Sequence, residues 1–146
     1  MLKILIAVDG SAHANRAIQA VGAMARSSLE LEACLLCVSP GAVLEPVFAT
    51  DYGAATIQKI EEEQRRQQDT ILNQAADLAK AQGLKLGEPA RAYGVIANEI
   101  VRVANERKVD QIAMGTRGMG ALGSIFLGSV AQRVIHQSSI PVLLAK

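Results

Sequence analysis

Short apolar runs alternate along this chain with stretches of helical period, and that alternation restricts the possible folds more than any other feature. Residues Leu2 to Val8 read as a buried strand. Asp9-Gly10-Ser11 then leads into Ala14, Ala17, Ile18, Val21, Gly22 and Ala25 at helical spacing, with Ser11 in the N-cap position. A second strand is expected over 31–38, a loop carrying Pro40, Gly41, Pro46 and Gly53 over 39–56, and a long helix over 57–82. The first half of that helix is polar, and its second half turns an apolar face inward through Ile71, Leu72, Ala75, Ala76, Leu78 and Ala79. The pattern continues with a strand at 85–92, a helix at 96–107, a strand at 111–114, a helix at 128–137 and a last strand at 141–145.

Strands separated by helices imply an α/β fold. The expectation is a doubly wound, open, parallel five-stranded sheet, Rossmann-like, with helices on both faces. Pro89 cannot donate to a strand ladder, so the third strand belongs at an edge, and an order of 3-2-1-4-5 puts it there. In that order the first and fourth strands are neighbours whose following connections diverge. Such a switch point is where open α/β sheets bind ligands, and it brings Asp9 to the segment after Met114.

With 146 residues, the chain is expected to form one domain over 1–146. A formal net charge of +1 carries no footprint for nucleic acid. No apolar run approaches the ~20 residues of a membrane span, and Lys3 is followed too soon by Asp9 for a secretory signal, so a cytoplasmic location without membrane insertion is expected. Cys34 and Cys37 form a C-x-x-C pair, but inside a strand such residues point to opposite faces, and they read as small buried side chains.

Five of the twelve glycines fall between Gly115 and Gly128. They follow a short strand and lead into a helix on which Leu127, Val130, Ala131, Val134 and Ile135 share a face. Glycine admits close approach of a ligand, and a helix N-terminus offers unpaired N–H groups to an anion, so the run describes a phosphate cradle. Gly118 to Gly123 matches G-x-G-x-x-G, yet no acidic residue comes after it to hold a ribose. Gly123 to Ser129 resembles a Walker A loop without its lysine. Ordinary turns also use Gly115 and Gly118, and a ligand-free helix cap would also use Ser129.

The spacing that remains, G-x2-G-x9-G-[ST], resembles the ATP-binding signature of the universal stress protein family, and Ser139-Ile140-Pro141-Val142-Leu143-Leu144 resembles that family's ending. The resemblance implies a regulatory or sensing module of stress response that binds ATP, or AMP or ADP. It places Ala7, Val8 and Asp9 at the adenosine, Val38 at the adenine edge, Met114, Gly115, Arg117 and Gly118 along ribose and phosphates, and Gly128, Ser129 and Val130 at the phosphate chain. Ala131 stands where some relatives carry a hydroxyl, which removes one phosphate donor. Mg2+ or Mn2+ would ride on the nucleotide's phosphates, with no protein metal ligands expected.

No catalytic residue is assigned: His13 and His136 have no nucleophile at a recognisable spacing, and at most weak ATP hydrolysis is expected. A slow ATPase or nucleotide-transferring enzyme on the same scaffold is one alternative, and a non-binding dimerising module is another. Strand 141–145 is an apolar edge, so a homodimer pairing that strand is expected, together with an unidentified client protein.

Overall fold

In the computed structural model of the chain, residues 1–27, 30–41, 51–117 and 127–146 are described. The elements run β1 (Leu2–Ala7), α1 (Ala12–Arg26), β2 (Leu31–Ser39), α2 (Asp51–Ala81), β3 (Lys85–Leu86), β4 (Ala90–Tyr93), α3 (Ile96–Glu106), β5 (Gln111–Gly115), α4 (Ser129–Gln137) and β6 (Val142–Ala145). The sheet has six strands in the order β3-β2-β1-β5-β6, and β4 also pairs with β2. Every pairing is parallel.

The expected five-stranded order holds, with one correction. The single strand expected over 85–92 is two. Lys85 and Leu86 pair with Glu32 and Ala33, and Ala90 to Tyr93 pair with Leu36 to Ser39. Pro89 lies between them. A proline has no N–H to give to β2, so the edge is interrupted there and resumes one residue later.

A second correction concerns the long helix, which starts at Asp51 rather than 57. The first half of α2 is exposed on almost every side and therefore shows no apolar period in the sequence. The helix is fixed to the sheet by its second half, where Gln68, Leu72, Ala75 and Ala79 are buried. Gln68 is fully buried, and its Nε2 donates to the carbonyls of Cys37 (3.4 Å) and Ala92 (3.0 Å), joining α2 to both β2 and β4. Of the rest of the expected 39–56 loop, Ser39 ends β2 and residues 42–50 lie outside the described residues.

Alternation along the strands sorts the core into two layers. Ile4 and Ile6 of β1 and Leu31, Ala33, Leu35 and Cys37 of β2 pack under α1 and α2. Leu5, Cys34, Leu36, Ile112 and Met114 pack under α3 and α4. Cys34 and Cys37 therefore lie on opposite faces, both as free thiols. Burial pushes the Cys37 thiol up to about 11, and burial likewise raises Cys34, partly offset by the Arg107 guanidinium 3.0 Å from its sulfur. These are inert buried thiols, as their strand positions require.

Candidate functional site

At the carboxyl end of the sheet, β1 and β5 lie side by side, but α1 continues from one to the first face and α4 comes after the other on the second. Their divergence leaves a cavity of about 330 Å³. The ends of β1 and β2 form one wall through Ala7, Val8, Leu36 and Val38, with Asp9 next at the rim. Met114, Gly115, Thr116 and Arg117 form the opposite wall. Gly128, Ser129, Val130 and Ala131 close it at the start of α4, with Ala14 of α1 and Ile96 and Ile100 of α3 completing the lining.

Every expected site residue is found in this lining except Gly118, which lies outside the described residues. Sequence reasoning missed Ala14, Leu36, Thr116, Ile96 and Ile100 as lining residues. Leu36 was open to inference, because it lies two residues before Val38 and shares its face of β2. Ile96 and Ile100 carry no such mark. They are four apart on one side of α3 and look like any other core pair.

The glycines at the cavity serve packing within the chain itself. A Cβ on Gly115 would lie 2.6 Å from the Cβ and 2.7 Å from the carbonyl carbon of His13, so only glycine lets the first turn of α1 rest on the end of β5. At Gly128 a Cβ would come within 3.1 Å of the Thr116 carbonyl, to which the Gly128 N–H donates at 2.7 Å. These contacts tie the starts of α1 and α4 to the segment that leaves β5.

Three helices begin at the rim, and their N-termini differ. In α1 the Ser11 hydroxyl accepts from the Ala14 N–H (3.1 Å), and Asp9 Oδ1 accepts from the Ser11 N–H (2.9 Å). In α3 an acidic residue, Glu99, occupies the first turn. Helix α4 has neither a capping side chain nor an acid there. Its first hydrogen bond within the helix runs from Gln132 N to Gly128 O, so the N–H groups of Ser129, Val130 and Ala131 precede the ladder. Of the three ends, α4 keeps the least compensated positive dipole.

Among the described lining residues the charged side chains are Asp9 and Arg117, and both histidines lie elsewhere. His13 backs onto Gly115 with its Nδ1 buried and unpartnered among the described residues, while His136 is exposed in the last turn of α4. No group of three or more His, Cys, Asp or Glu able to hold a metal ion occurs among the described residues. No helix among them is long and apolar enough to cross a membrane.

A parallel open sheet with a cavity between its diverging neighbours defines an α/β fold of the Rossmann-like type. The family comparison is more specific. The model of the Universal stress protein family matches residues 1–146, and the chain belongs to that family. A Thermus aquaticus protein, the universal stress protein in the QAH/OAS sulfhydrylase 3' region, is 35% identical over 143 residues, covering 98% of this chain and 97% of that one. The solved structure of MJ0577, a protein of Methanocaldococcus jannaschii, is 31% identical with a TM-score of 0.72, covering 99% of this chain and 95% of that one. A universal stress protein solved in complex with cAMP is 25% identical with a TM-score of 0.67, covering 99% of this chain and 96% of that one.

Proposed function

We propose that the chain binds an adenine nucleotide in the cavity between β1 and β5 and acts as a regulatory or sensing module of stress response in the cytoplasm. The observation that carries this reading is the convergence, at one cavity, of Ala7-Val8-Asp9 with Met114 to Arg117 and Gly128 to Val130. Asp9 would accept from the ribose hydroxyls, and backbone groups at Val38 would meet the adenine edge. The phosphate would lie at the start of α4, where uncapped N–H groups and the Ser129 hydroxyl gather beside Arg117. By the family resemblance Gly118, which lies outside the described residues, would belong to the same phosphate path. The cAMP complex of a 25% identical relative supports an adenine ligand.

Mg2+ or Mn2+ would have to be held chiefly by the nucleotide's own oxygens, because Asp9 is the one carboxylate among the described lining residues and already accepts the Ser11 N–H. The described residues do not furnish a metal site, and binding as proposed needs none. Mass spectrometry of small molecules released from the denatured, freshly purified protein tests the proposal. An adenine nucleotide at substantial occupancy, or rebinding of one in calorimetry, is the expected result. A folded protein that neither carries nor binds any adenine compound would contradict it, and steady ATP turnover above background would favour the slow ATPase.

The homodimer belongs to this proposal as well. Among the described residues, strand β6 has a partner, β5, on one side only, and Val142, Leu143 and Leu144 along it are half-buried, so pairing with a second copy would cover an apolar edge. Sedimentation should give about twice the 15.4 kDa chain mass. A monomer at micromolar concentration would refute the pairing and leave the nucleotide site untouched.

A further inference from the structure

We infer that Gln68, buried in α2 behind the sheet, is the positioning residue for the adenine wall of the cavity: it holds the carboxyl end of β2, where Val38 stands, in the place where a base would be read. This rests on the proposed nucleotide site and adds to it a residue outside the lining. Strand β2 loses one neighbour before it reaches the cavity. Its pairing with β1 ends at Leu36, whose carbonyl accepts from the Val8 N–H at 2.8 Å. From Cys37 to Ser39 the strand neighbour that remains among the described residues is β4, which is four residues long and separated from β3 at Pro89. Main-chain groups alternate in direction along a strand, so Val38 turns its N–H and carbonyl the same way as Leu36, into the space past the end of β1. There the cavity opens, with Ala7, Val8 and Val38 in its lining. A strand end with one short partner is prone to open locally.

Gln68 braces that end from the opposite face of the sheet. Cys37 packs in the layer under α1 and α2, whereas Val38 packs against the layer under α3 and α4. The Gln68 Nε2 donates to the carbonyl of Cys37, the residue before Val38, and to that of Ala92, the residue paired with Val38 across the ladder. One turn earlier in α2, the Gln64 Nε2 donates to the Pro40 carbonyl at 3.2 Å. Two amides four residues apart on one helix therefore hold β2 on both sides of Val38. Stability alone does not call for glutamine at position 68. The side chain is fully buried in the stripe it shares with Leu72, Ala75 and Ala79, and its Oε1 has no partner among the described residues. Met or Leu would fill the space without an unpaired oxygen. Neither could draw the carbonyls of two strands to one point.

Calorimetry with AMP and IMP on the full chain tests the inference. Adenine offers a donor at N6 and an acceptor at N1, and the base of IMP reverses the two, so a correctly held carbonyl and N–H at Val38 tell them apart. The wild type should bind AMP at least about tenfold tighter than IMP. Gln68→Met, close in volume, should keep the urea midpoint near that of the wild type and weaken AMP by about tenfold while IMP stays within about twofold, so that the preference collapses. Gln68→Leu should do the same. Leu72→Ala, a purely structural loss one turn along, should lower the midpoint and leave the ratio of the two affinities unchanged. In 15N spectra of the wild type, the Gln68 side-chain NH2 signals should be protected from exchange and should shift on saturation with AMP. A folded Gln68→Met or Gln68→Leu protein that keeps the AMP preference within about twofold overturns the positioning role. So do an equal loss for both nucleotides and NH2 signals that AMP leaves unmoved. A wild type that binds AMP no tighter than IMP overturns it by removing the Val38 edge, while the cavity site stands. Failure of both nucleotides to bind the folded wild type overturns the site reading itself.

Discussion

The two ends of the sheet put the same backbone chemistry to opposite uses. At the amino end the strands are laced shut: Leu2 N donates to Glu30 O, Asp110 N donates to Lys3 O, and Lys3 N donates to the Asp110 carboxylate, each at 2.8 Å. The last pair joins residues 107 positions apart and fixes the register of β1 against β5 where both begin. At the carboxyl end those two strands are still neighbours, but the helices after them part to opposite faces, and the cavity occupies the gap. The strands are thus tied together where they start, and the cavity proposed for the ligand lies where they finish. A substitution should report which end it belongs to by whether folding or binding changes.

The largest separation is expected from Asp9→Ala at the open end. Loss of the carboxylate should cost about 1.5–3 kcal/mol of nucleoside binding, roughly tenfold to a hundredfold in Kd, with AMP and adenosine affected alike. Calorimetry on both ligands checks this. If adenosine kept its affinity while AMP lost it, Asp9 would be serving the phosphate end and the assignment of the rim would be wrong.

Gly115→Ala breaks the comparison deliberately, because this residue lines the cavity and also carries the packing of α1 on β5. The added Cβ meets helix backbone, which cannot swing aside, so a loss of about 1–3 kcal/mol in urea unfolding is expected, with weaker binding as a consequence. An unaltered unfolding midpoint would mean that α1 is free to shift. At the sealed end, Asp110→Ala should remove about 0.5–1.5 kcal/mol of stability, since the Lys3 N–H it accepts is exposed to water and finds other partners. Nucleotide affinity should stay within about twofold. A tenfold loss of affinity from that distance would show that the two ends are coupled.

The physical origin of each sequence signal explains how far it can be read. Strands β1, β2 and β5 are buried on both faces, so their apolar runs are visible as runs, and the alternation with helices then leads to the strand order. Pro89 is legible as an edge residue, but a lone proline does not say whether the ladder bends around it or stops. The start of α2 is hidden because a helix exposed on nearly all sides has no period, and Gly53 within it reads as a loop residue. At the site, glycine, Asp9 and Ser129 stand out by chemistry that a core does not need. Leu36, Ile96 and Ile100 are ordinary apolar residues whose second role, lining a cavity, comes only from where the helices diverge. Gly115 is conspicuous in the sequence for its ligand-side freedom, while the structure gives it a packing reason as well.

The most direct test of the central claim is an amide NMR titration of the 15N-labelled chain with AMP. Saturable shifts should concentrate at Val8, Asp9, Val38, Gly115, Thr116, Arg117, Ser129 and Val130, while the amides of Leu2, Lys3 and Asp110 stay where they are. Shifts centred on the amino ends of the strands, or none at millimolar AMP, would contradict the placement of a nucleotide in the cavity between β1 and β5.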